Sequence, residues 1–441
     1  MKVLLGEATL SSSQSASELN TDQKTDIPEP KLDSDFIKEG TQASYAEGYP
    51  LEWGKEIWKF TAHGDVLADG VESGSATPDE KYLALATGHS VCIFDLDDYS
   101  LACVLKNDIG IVQSVEFAPF PKGGNDGYVL VTDAHDILPA RNEQVQLWYL
   151  DCSCKERPAI SEAEEKKTRR DKFDGSLASF SATAFSHNGK TLLYLRDVHD
   201  KYGVHARVTA VNVATGKEDF YMEGHTNPIM WAGFSPDDSL IVTNAWDGYA
   251  KVYSTKDGKH LRDLGPTGGQ NWACDFSPDG ENLAVSRGSR GPSTFIWKPE
   301  DPQSFPVALE GTTGWQRHIA WSPDGSRLAI GAADGRLVIY NARSMTIEQL
   351  WQLSDQPMKW VREVAGAVWL DGGQRLLFTP MDGSVLLYDF GTNEKWRWGA
   401  GEKDEWRSGM WFNTLTVMEK RRLFGSKDQD GSYRIWKLPK I

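Results

Sequence analysis

The chain has 441 residues, of which 40% are hydrophobic and 11% aromatic, and its formal net charge is −16. This length is enough for a large hydrophobic core, but the acidic balance argues against nucleic-acid binding, which depends on clustered lysine and arginine. The sequence contains no apolar run of about 18 residues, so we expect no membrane-spanning helix and no membrane partner.

The cysteines indicate an intracellular location, cytoplasmic or nuclear. There are five of them, few and odd in number, which fits a reducing compartment better than a disulfide framework. Cys152 and Cys154 form a close pair, but no further cysteine or histidine lies near them at the spacing of a zinc site. We therefore expect no metal and no cofactor.

The N-terminal 48 residues differ in composition from the rest of the chain. They carry nine acidic residues against four lysines, and few apolar residues. A segment of this kind cannot bury enough apolar surface to offset the entropy of ordering. We predict a disordered acidic tail over residues 1–48 and a single folded domain over residues 49–441.

Asp-Gly pairs mark a repeated turn. In four places such a pair is followed by an aromatic residue, six positions after the aspartate. The aspartate and aromatic pairs are Asp247 with Tyr253, Asp334 with Tyr340, Asp382 with Tyr388, and Asp430 with Trp436. Because Asp-Gly supplies the positive φ of a two-residue hairpin, each pair is predicted to join two strands.

These turns and their weaker copies divide the chain into eight units. The units end at Phe94, Trp148, Val211, Tyr253, Trp297, Tyr340, Tyr388 and Trp436, with spacings from 42 to 63 residues. A repeat length of forty-odd residues, with three or four short strands in each repeat, predicts the blades of a β-propeller. We expect eight blades. The alternative is seven, with the weak third unit, 180–213, as an elaborated insertion.

The repeats resemble those of the WD40 family. The segment 224–253 holds a Gly-His pair at His225, an Asp-Gly turn at Asp247 and an aromatic strand end at Tyr253. The resemblance implies an all-β fold, a single closed β-propeller of four-stranded blades, in which the turn aspartate and the histidine share a hydrogen-bonded network. The residues that it assigns to structural turns and this network are His225, Asp247, Asp334, Asp382 and Asp430.

Two segments stand outside the regular repeat. Residues 56–60 have the pattern of an outer strand without a blade of its own, and the last unit ends without an outer strand. Because an open ring would leave two sheet edges exposed, we predict that residues 56–60 complete the last blade. Residues 152–174 are highly charged and interrupt the period, which predicts an exposed loop insertion.

The resemblance also implies where a partner binds. WD40 propellers place partner-binding residues around the entry to the first strand of each blade and just before the turn aspartate. At these positions the chain carries Met230, Trp246, Trp272, Trp315, Arg317 and Met381. Tryptophan, arginine and methionine are typical of interface anchors, so we expect a partner-binding patch. The alternative is that the tryptophans pack between blades.

The sequence carries none of the common catalytic motifs. We find no G-x-S-x-G nucleophile elbow, no phosphate-binding glycine loop and no H-E-x-x-H or Cys/His cluster. We therefore expect no enzyme but a non-catalytic protein–protein interaction scaffold or adaptor, a monomeric propeller within a complex. One alternative is an assembly chaperone or binder of a basic protein, suggested by the net charge. Another is an enzyme or small-molecule-binding propeller that uses the central channel.

Overall fold

The computed structural model describes residues 37–38, 41–47, 56–61, 70–107, 109–119, 127–136, 143–150, 169–181, 183–200, 203–288, 294–301, 305–312, 314–352, 364–380, 384–398, 415–427 and 431–441. Within these ranges the regular secondary structure is β-strand, apart from one short 3-10 helix, Asp371–Gly373.

Four short strands precede the first blade. They are β1 (Ile37–Lys38), β2 (Thr41–Gln42), β3 (Ser44–Tyr45) and β4 (Trp58–Phe60).

The other strands form eight sheets, one after another along the chain. Blade one contains β5 (Val71–Ala76), β6 (Tyr82–Thr87), β7 (Ser90–Asp95) and β8 (Leu101–Lys106). Blade two contains β9 (Ile111–Phe117), β10 (Tyr128–His135), β11 (Glu143–Leu150) and β12 (Arg169–Asp174). Blade three contains β13 (Thr191–Asp200), β14 (Gly203–Asn212) and β15 (Lys217–Met222). Blade four contains β16 (Ile229–Phe234), β17 (Leu240–Ala245), β18 (Ala250–Ser254) and β19 (His260–Leu264).

The second half of the ring follows the same order. Blade five contains β20 (Gln270–Phe276), β21 (Leu283–Gly288), β22 (Thr294–Trp297) and β23 (Val307–Leu309). Blade six contains β24 (Gln316–Trp321), β25 (Arg327–Ala332), β26 (Arg336–Asn341) and β27 (Thr346–Gln352). Blade seven contains β28 (Val364–Leu370), β29 (Arg375–Pro380), β30 (Val385–Asp389) and β31 (Glu394–Trp398). Blade eight contains β32 (Leu415–Met418), β33 (Leu423–Lys427) and β34 (Tyr433–Lys437), together with β4.

The protein is therefore an all-β, eight-bladed propeller, which confirms the predicted fold, and the seven-blade alternative is wrong. The third unit is a blade of its own, because β13, β14 and β15 pair antiparallel. Its innermost position differs from that of the other blades. Only two isolated bridges occupy it, from Ser176 to Leu195 and from Phe185 to Leu192.

Each blade is buried on both faces against its neighbours. The buried apolar residues of the described chain form eight clusters, and each cluster joins two adjacent blades. Strand alternation produces this arrangement. In β25, Leu328 and Ile330 face the cluster shared with blade five, whereas Ala329 between them faces the cluster shared with blade seven. The cluster that contains Leu83 and Tyr433 closes the ring between blades one and eight.

Residues upstream of blade one pack on the end of the ring. β4 lies antiparallel to β34, so the fourth strand of blade eight comes from residues that precede blade one. β3 lies parallel to β31 as a fifth strand of blade seven, and Ala43 and Ala46 beside it are buried. Residues 41–46, which belong to the segment predicted as a disordered tail, thus pack against blade seven, where small alanines fit against the sheet. Residues 1–36 lie outside the described part of the chain.

The predicted charged loop ends earlier than residue 174. Residues 169–174 form β12, the outer strand of blade two. Phe173 is buried in the core shared with blade three, and the Arg170 guanidinium lies 4.7 Å from the ring centre of Trp148. The high charge of this segment conceals the alternation that makes it a strand. Residues 152–168 lie outside the described residues.

Side chains bridge the innermost strands of adjacent blades, which belong to separate sheets. The backbone N–H of Phe117 donates to Ser75 Oγ at 3.0 Å, and that of Trp321 donates to Asp275 Oδ2 at 2.8 Å. These bonds satisfy inner-strand backbone donors for which the neighbouring sheet offers no ladder partner.

Asp275 should make the stability of the ring depend on pH. Burial raises the pKa of its carboxyl to about 7, and the hydrogen bonds from the backbone of Trp321 and Phe276 oppose this only in part. A pKa raised by folding means that protonation favours the folded state. The stabilisation is complete below about pH 4 and is lost as the pH rises through about 7. From pH 8 to pH 5, we expect the melting temperature of the wild type to rise by a few degrees relative to Asp275→Asn.

Thermal melts at four pH values between 5 and 8 would check this expectation. Asp275 is partly accessible to solvent, so screening keeps the effect below that of the full pKa shift. Asp279→Asn is the matched control, because its carboxyl lies in an exposed turn of the same blade and has a lowered pKa. A constant difference between the wild type and Asp275→Asn over this range would contradict the assignment.

A carboxylate also joins blades three and four at the turn between the first two strands. Asp238 accepts from the backbone N–H groups of His187 and Asn188, each at 2.8 Å, and His187 Nδ1 lies 2.9 Å from it. Asp238 has a positive φ of 58°, at a position where blade five has Gly280. The hydrogen bonds that the Asp238 carboxylate accepts from blade three offset the conformational strain of its positive φ.

Blade one contacts blade eight in the same way. Glu80 also has a positive φ, 57°, and its carboxylate accepts from the backbone N–H groups of Lys420 at 3.0 Å and Arg421 at 2.9 Å. The two sites show that a turn carboxylate can replace glycine when it binds the neighbouring turn.

Replacing Asp238 with glycine should destabilise the protein although it removes backbone strain. Relief of the positive φ is worth about 1 kcal/mol, whereas the lost charge-assisted hydrogen bonds cost about 2–3 kcal/mol. We expect a net loss of about 1–2 kcal/mol in the free energy of unfolding, measured by urea denaturation. Asp238→Asn keeps an acceptor and tolerates the left-handed conformation, so it should lose less. Equal or greater stability of Asp238→Gly would show that this contact contributes nothing.

Candidate functional site

A histidine–aspartate pair holds the Asp-Gly turn of blade four. His225 is buried. Its Nδ1 lies 2.8 Å from Asp247 Oδ2, and its Nε2 lies 2.8 Å from Thr243 Oγ1. Asp247 also accepts from the backbone N–H groups of Thr226 and Tyr249, each at 3.0 Å. Burial disfavours the charged carboxylate, but the imidazole and the two N–H groups outweigh it and hold the pKa of Asp247 below its usual value.

The other turn aspartates fall into two groups. Asp334 accepts from the backbone N–H groups of Gly314 at 3.2 Å and Arg336 at 3.1 Å. Asp247 accepts from the corresponding two backbone positions in blade four. Asp382 and Asp430 lie outside the described residues. We name the propeller face that carries the Asp247 and Asp334 turns the DG face.

Three predicted contact residues lie at a shared irregularity of the innermost strands. The pairing of β16, β20 and β24 with the second strand of each blade shifts by a β-bulge, and the bulges contain Met230, Trp272 and Arg317, respectively. The innermost strands of blades one and two shift in register at the same point. A bulge breaks strict alternation and re-aims a side chain. The bulges of these blades thus lie at the DG-face ends of the innermost strands, and we name the region between these strand ends the channel mouth.

Tryptophans from three successive blades touch one another on this face. The ring centre of Trp246 lies 5.1 Å from that of Trp272, and Trp272 lies 5.3 Å from Trp315 with an angle of 22° between the rings. Trp272 is only 7% exposed, whereas Trp246 and Trp315 are half-buried. We name these three residues the tryptophan stack. Its middle member is packed inside the protein and its outer members reach solvent.

A glycine in the second strand makes room for the buried indole. A Cβ atom added at Gly288 would lie 2.2 Å from Trp272 Nε1. Gly288 therefore permits the close approach of Trp272 to β21. Of the other predicted contact residues, Met230 is half-buried beside the stack, Arg317 lies in β24 one blade further on, and Met381 lies outside the described residues.

A segment of blade three enters the same region, and sequence reasoning missed it. Ser176 and Phe185 are nine positions apart, but their partners Leu195 and Leu192 on β13 are only three apart. The additional residues leave the innermost position of the blade. We name residues 177–181 and 183–184 the channel segment; residue 182 lies outside the described residues.

The channel segment carries Phe180 to the tryptophan stack. The Phe180 ring meets Trp272 edge-on, at 5.4 Å between centres and an angle of 87°. Its backbone N–H donates to the carbonyl of Met230 at 3.0 Å. Phe180 also packs against the clusters shared by blades four and five and by blades five and six. A side chain from blade three thus reaches blade five across the channel mouth.

Carboxylates of blade two hold both ends of the channel segment. Asp133 Oδ2 accepts from the backbone N–H of Leu177 at 3.3 Å. Glu116 accepts from the backbone N–H of Ala184 at 2.9 Å and from the Thr183 hydroxyl. Burial raises the pKa of Asp133 and of Glu116 to about 7 in each case. Both anchors therefore change ionisation near neutral pH.

Two segments of the chain match a known repeat. The family described as WD domain, G-beta repeat matches residues 216–254 and 304–341. These ranges include the Asp247 and Asp334 turns and the bulges at Met230 and Arg317. The chain contains WD40 repeats. The matched segments cover parts of blades three to six of the propeller, where the Asp-Gly and Ser-Pro-Asp turns are most regular.

The curated proteins that the chain resembles are distant in sequence and match it over part of their length. The chain is 25% identical over 179 residues to WD repeat-containing protein VIP3 of Arabidopsis thaliana. It is 32% identical over 126 residues to small ribosomal subunit protein RACK1 of Caenorhabditis elegans. It is 25% identical over 192 residues to eukaryotic translation initiation factor 3 subunit I of Scheffersomyces stipitis. The matches cover 37%, 26% and 39% of this chain and span 50%, 38% and 51% of those relatives.

Among solved structures, the computationally designed Ika8 protein has a similar fold. The TM-score is 0.59 at 15% sequence identity, and the match covers 87% of this chain and 100% of the designed one. At this identity the likeness concerns the fold alone.

Two features are absent from the described residues. Within them, no group of three or more histidine, cysteine, aspartate or glutamate side chains is placed to hold a metal ion. In the same part of the chain, no helix is long and apolar enough to cross a membrane.

Removing the Asp247 carboxylate should destabilise the protein strongly. Asp247→Ala leaves the His225 imidazole and two backbone N–H groups without their acceptor, which costs about 2–4 kcal/mol in the free energy of unfolding. Urea denaturation would measure this loss. Asp257→Ala, in an exposed turn of the same blade, should leave the midpoint nearly unchanged. If both variants unfolded at the wild-type urea concentration, the His225–Asp247 pair would have no structural role.

Proposed function

We propose that this WD40 propeller is a non-catalytic protein–protein interaction scaffold whose partner docks on the DG face. The tryptophan stack carries the proposal, because three indoles from three blades lie in contact and the outer two remain accessible. Large, rigid aromatic side chains supply contact area at low entropic cost and are enriched among residues that dominate binding. The stack therefore has the composition and position of an interface centre.

The remaining predicted contact residues are proposed to border the stack. Met230 lies beside Phe180, and Arg317 occupies the equivalent bulge of blade six. Met381, just before the Asp-Gly turn of blade seven, is proposed to extend the same border. A central aromatic cluster with methionine and arginine around it is the usual composition of a protein interface.

The names of two relatives support a scaffold role by analogy. One is a protein of the small ribosomal subunit and another is a subunit of a translation initiation factor, so both are named as parts of assemblies. We propose that this chain likewise acts as a monomeric propeller within a larger intracellular complex, cytoplasmic or nuclear. The net charge of −16 favours a basic partner, since charge complementarity accelerates encounter.

Loss of the accessible indoles should remove the partner without unfolding the propeller. We expect Trp246→Ala combined with Trp315→Ala to weaken binding about 30-fold or more, the effect of losing a binding hot spot. Trp272 is left in place because it is buried. The measurement is quantitative affinity purification from the native cells, followed by titration of the recovered partner.

A matched control separates the DG face from general loss of apolar surface. Leu261→Ala combined with Phe305→Ala removes two exposed apolar side chains on the outer rim of blades four and five. This control should retain the partner. If the folded tryptophan variant bound its partners as the wild type does, the DG face would not be the docking surface.

A further inference from the structure

We propose that the channel mouth contains a pocket for an aromatic side chain, which Phe180 occupies in the free chain. The partner that takes its place is an extended peptide with one aromatic residue between small residues. This inference rests on the proposed function and names the chemistry of the partner at the same face.

The position of Phe180 is the first reason. Its ring packs on Trp272 and on clusters of blades four, five and six, and its backbone bonds to Met230 of blade four. A phenylalanine that served the core of its own blade would pack against β13 or β14. Phe180 instead fills a pocket made by other blades, as a bound ligand would.

The way in which the channel segment is attached is the second reason. Between the bridges at Ser176 and Phe185 its described residues form no strand ladder. Separate hydrogen bonds to Asp133, Glu116, Met230 and Ala232 hold it instead. Phe180 is only half-buried there, although it is apolar. Because a partly buried segment held by separate bonds opens at lower free energy than a packed strand, this segment can leave the pocket while the blades stay folded.

The edge of blade four is the third reason, because it offers backbone groups to an incoming peptide. The Ala232 carbonyl accepts from Ser181 Oγ at 2.6 Å, and the Ala232 N–H donates to the same oxygen at 2.9 Å. One hydroxyl thus satisfies both backbone groups. An extended peptide could satisfy them with its own N–H and C=O, as in strand addition to an open sheet edge.

The channel segment itself shows which peptide fits. Residues 177–183 read LASFSAT, with one aromatic residue among small ones. Small neighbours let the backbone pass close to β16, while the aromatic ring meets the edge of the Trp272 indole. Edge-to-face contact is a preferred geometry for such rings. A peptide of the same pattern would reproduce the contacts of Phe180.

Vacating the pocket should create a binding site that can be titrated. The probe is the acetylated and amidated heptapeptide LASFSAT, and its matched control is LASASAT. We expect Phe180→Ala to bind LASFSAT at least tenfold more tightly than the wild type does, and to bind LASASAT at least tenfold more weakly than LASFSAT. Tryptophan fluorescence and titration calorimetry measure both.

A second variant keeps the test valid if Phe180→Ala does not fold. Ser181→Ala retains the Phe180 side chain but removes both hydrogen bonds to Ala232, so the peptide should displace the channel segment more readily. Its affinity for LASFSAT should lie between those of the wild type and Phe180→Ala. If neither folded variant bound LASFSAT more tightly than the wild type, or if LASASAT bound equally well, the pocket would be refuted.

Two further outcomes separate this inference from the proposed function. Free N-acetylphenylalaninamide that bound Phe180→Ala as tightly as LASFSAT would assign the pocket to small aromatic molecules and overturn the peptide assignment. If partner binding required Trp246 and Trp315 but LASFSAT did not bind the Phe180→Ala variant, the scaffold function would be supported and the proposed pocket refuted.

Discussion

The burial of each blade between two neighbours is the constraint on which the rest of this structure depends. A blade such as the sheet of β24 to β27 has apolar residues on both faces, so it gains its core only when the blades on each side are present. This fixes the inner strands at equivalent heights around the axis. Trp246, Trp272 and Trp315 meet because successive blades repeat the same geometry, and no long loop is needed to bring them together.

The same aspartate chemistry has opposite consequences at two places in the ring. Asp247 lies against an imidazole and two turn N–H groups, which keep it charged despite burial. Asp275 lies between inner strands, where its hydrogen bonds come from backbone N–H groups and do not outweigh burial. The first carboxylate stabilises the fold once it is ionised, and the second stabilises it most when protonated. Asp247 can therefore be treated as a fixed charge at neutral pH, whereas Asp275 cannot.

The sequence predicts the ring well because turn chemistry is local. The offset from Asp247 to Tyr253 recurs at three other Asp-Gly turns, and these turns together with their weaker copies give the number of units. Positional equivalence also placed Trp246, Trp272 and Trp315 in one set. The burial of Trp272 could not be predicted, since it depends on the close approach of Gly288. Phe180 was missed for a different reason. It lies where a strand is expected, and only the register of the bridges on β13 reveals the excursion.

The channel segment follows from the size of the ring. A ring of eight blades leaves a wider channel than a ring of fewer similar blades, and an apolar mouth open to water would expose the indoles. In this protein blade three lacks a regular innermost strand, and the residues at that position carry Phe180 against the edge of Trp272. The cover is anchored through Glu116 and Asp133 of blade two and through Ser181 to blade four. Because the anchors belong to other blades, the surface around the tryptophan stack is set jointly by blades two to six, and a partner that displaced Phe180 would act on all of them.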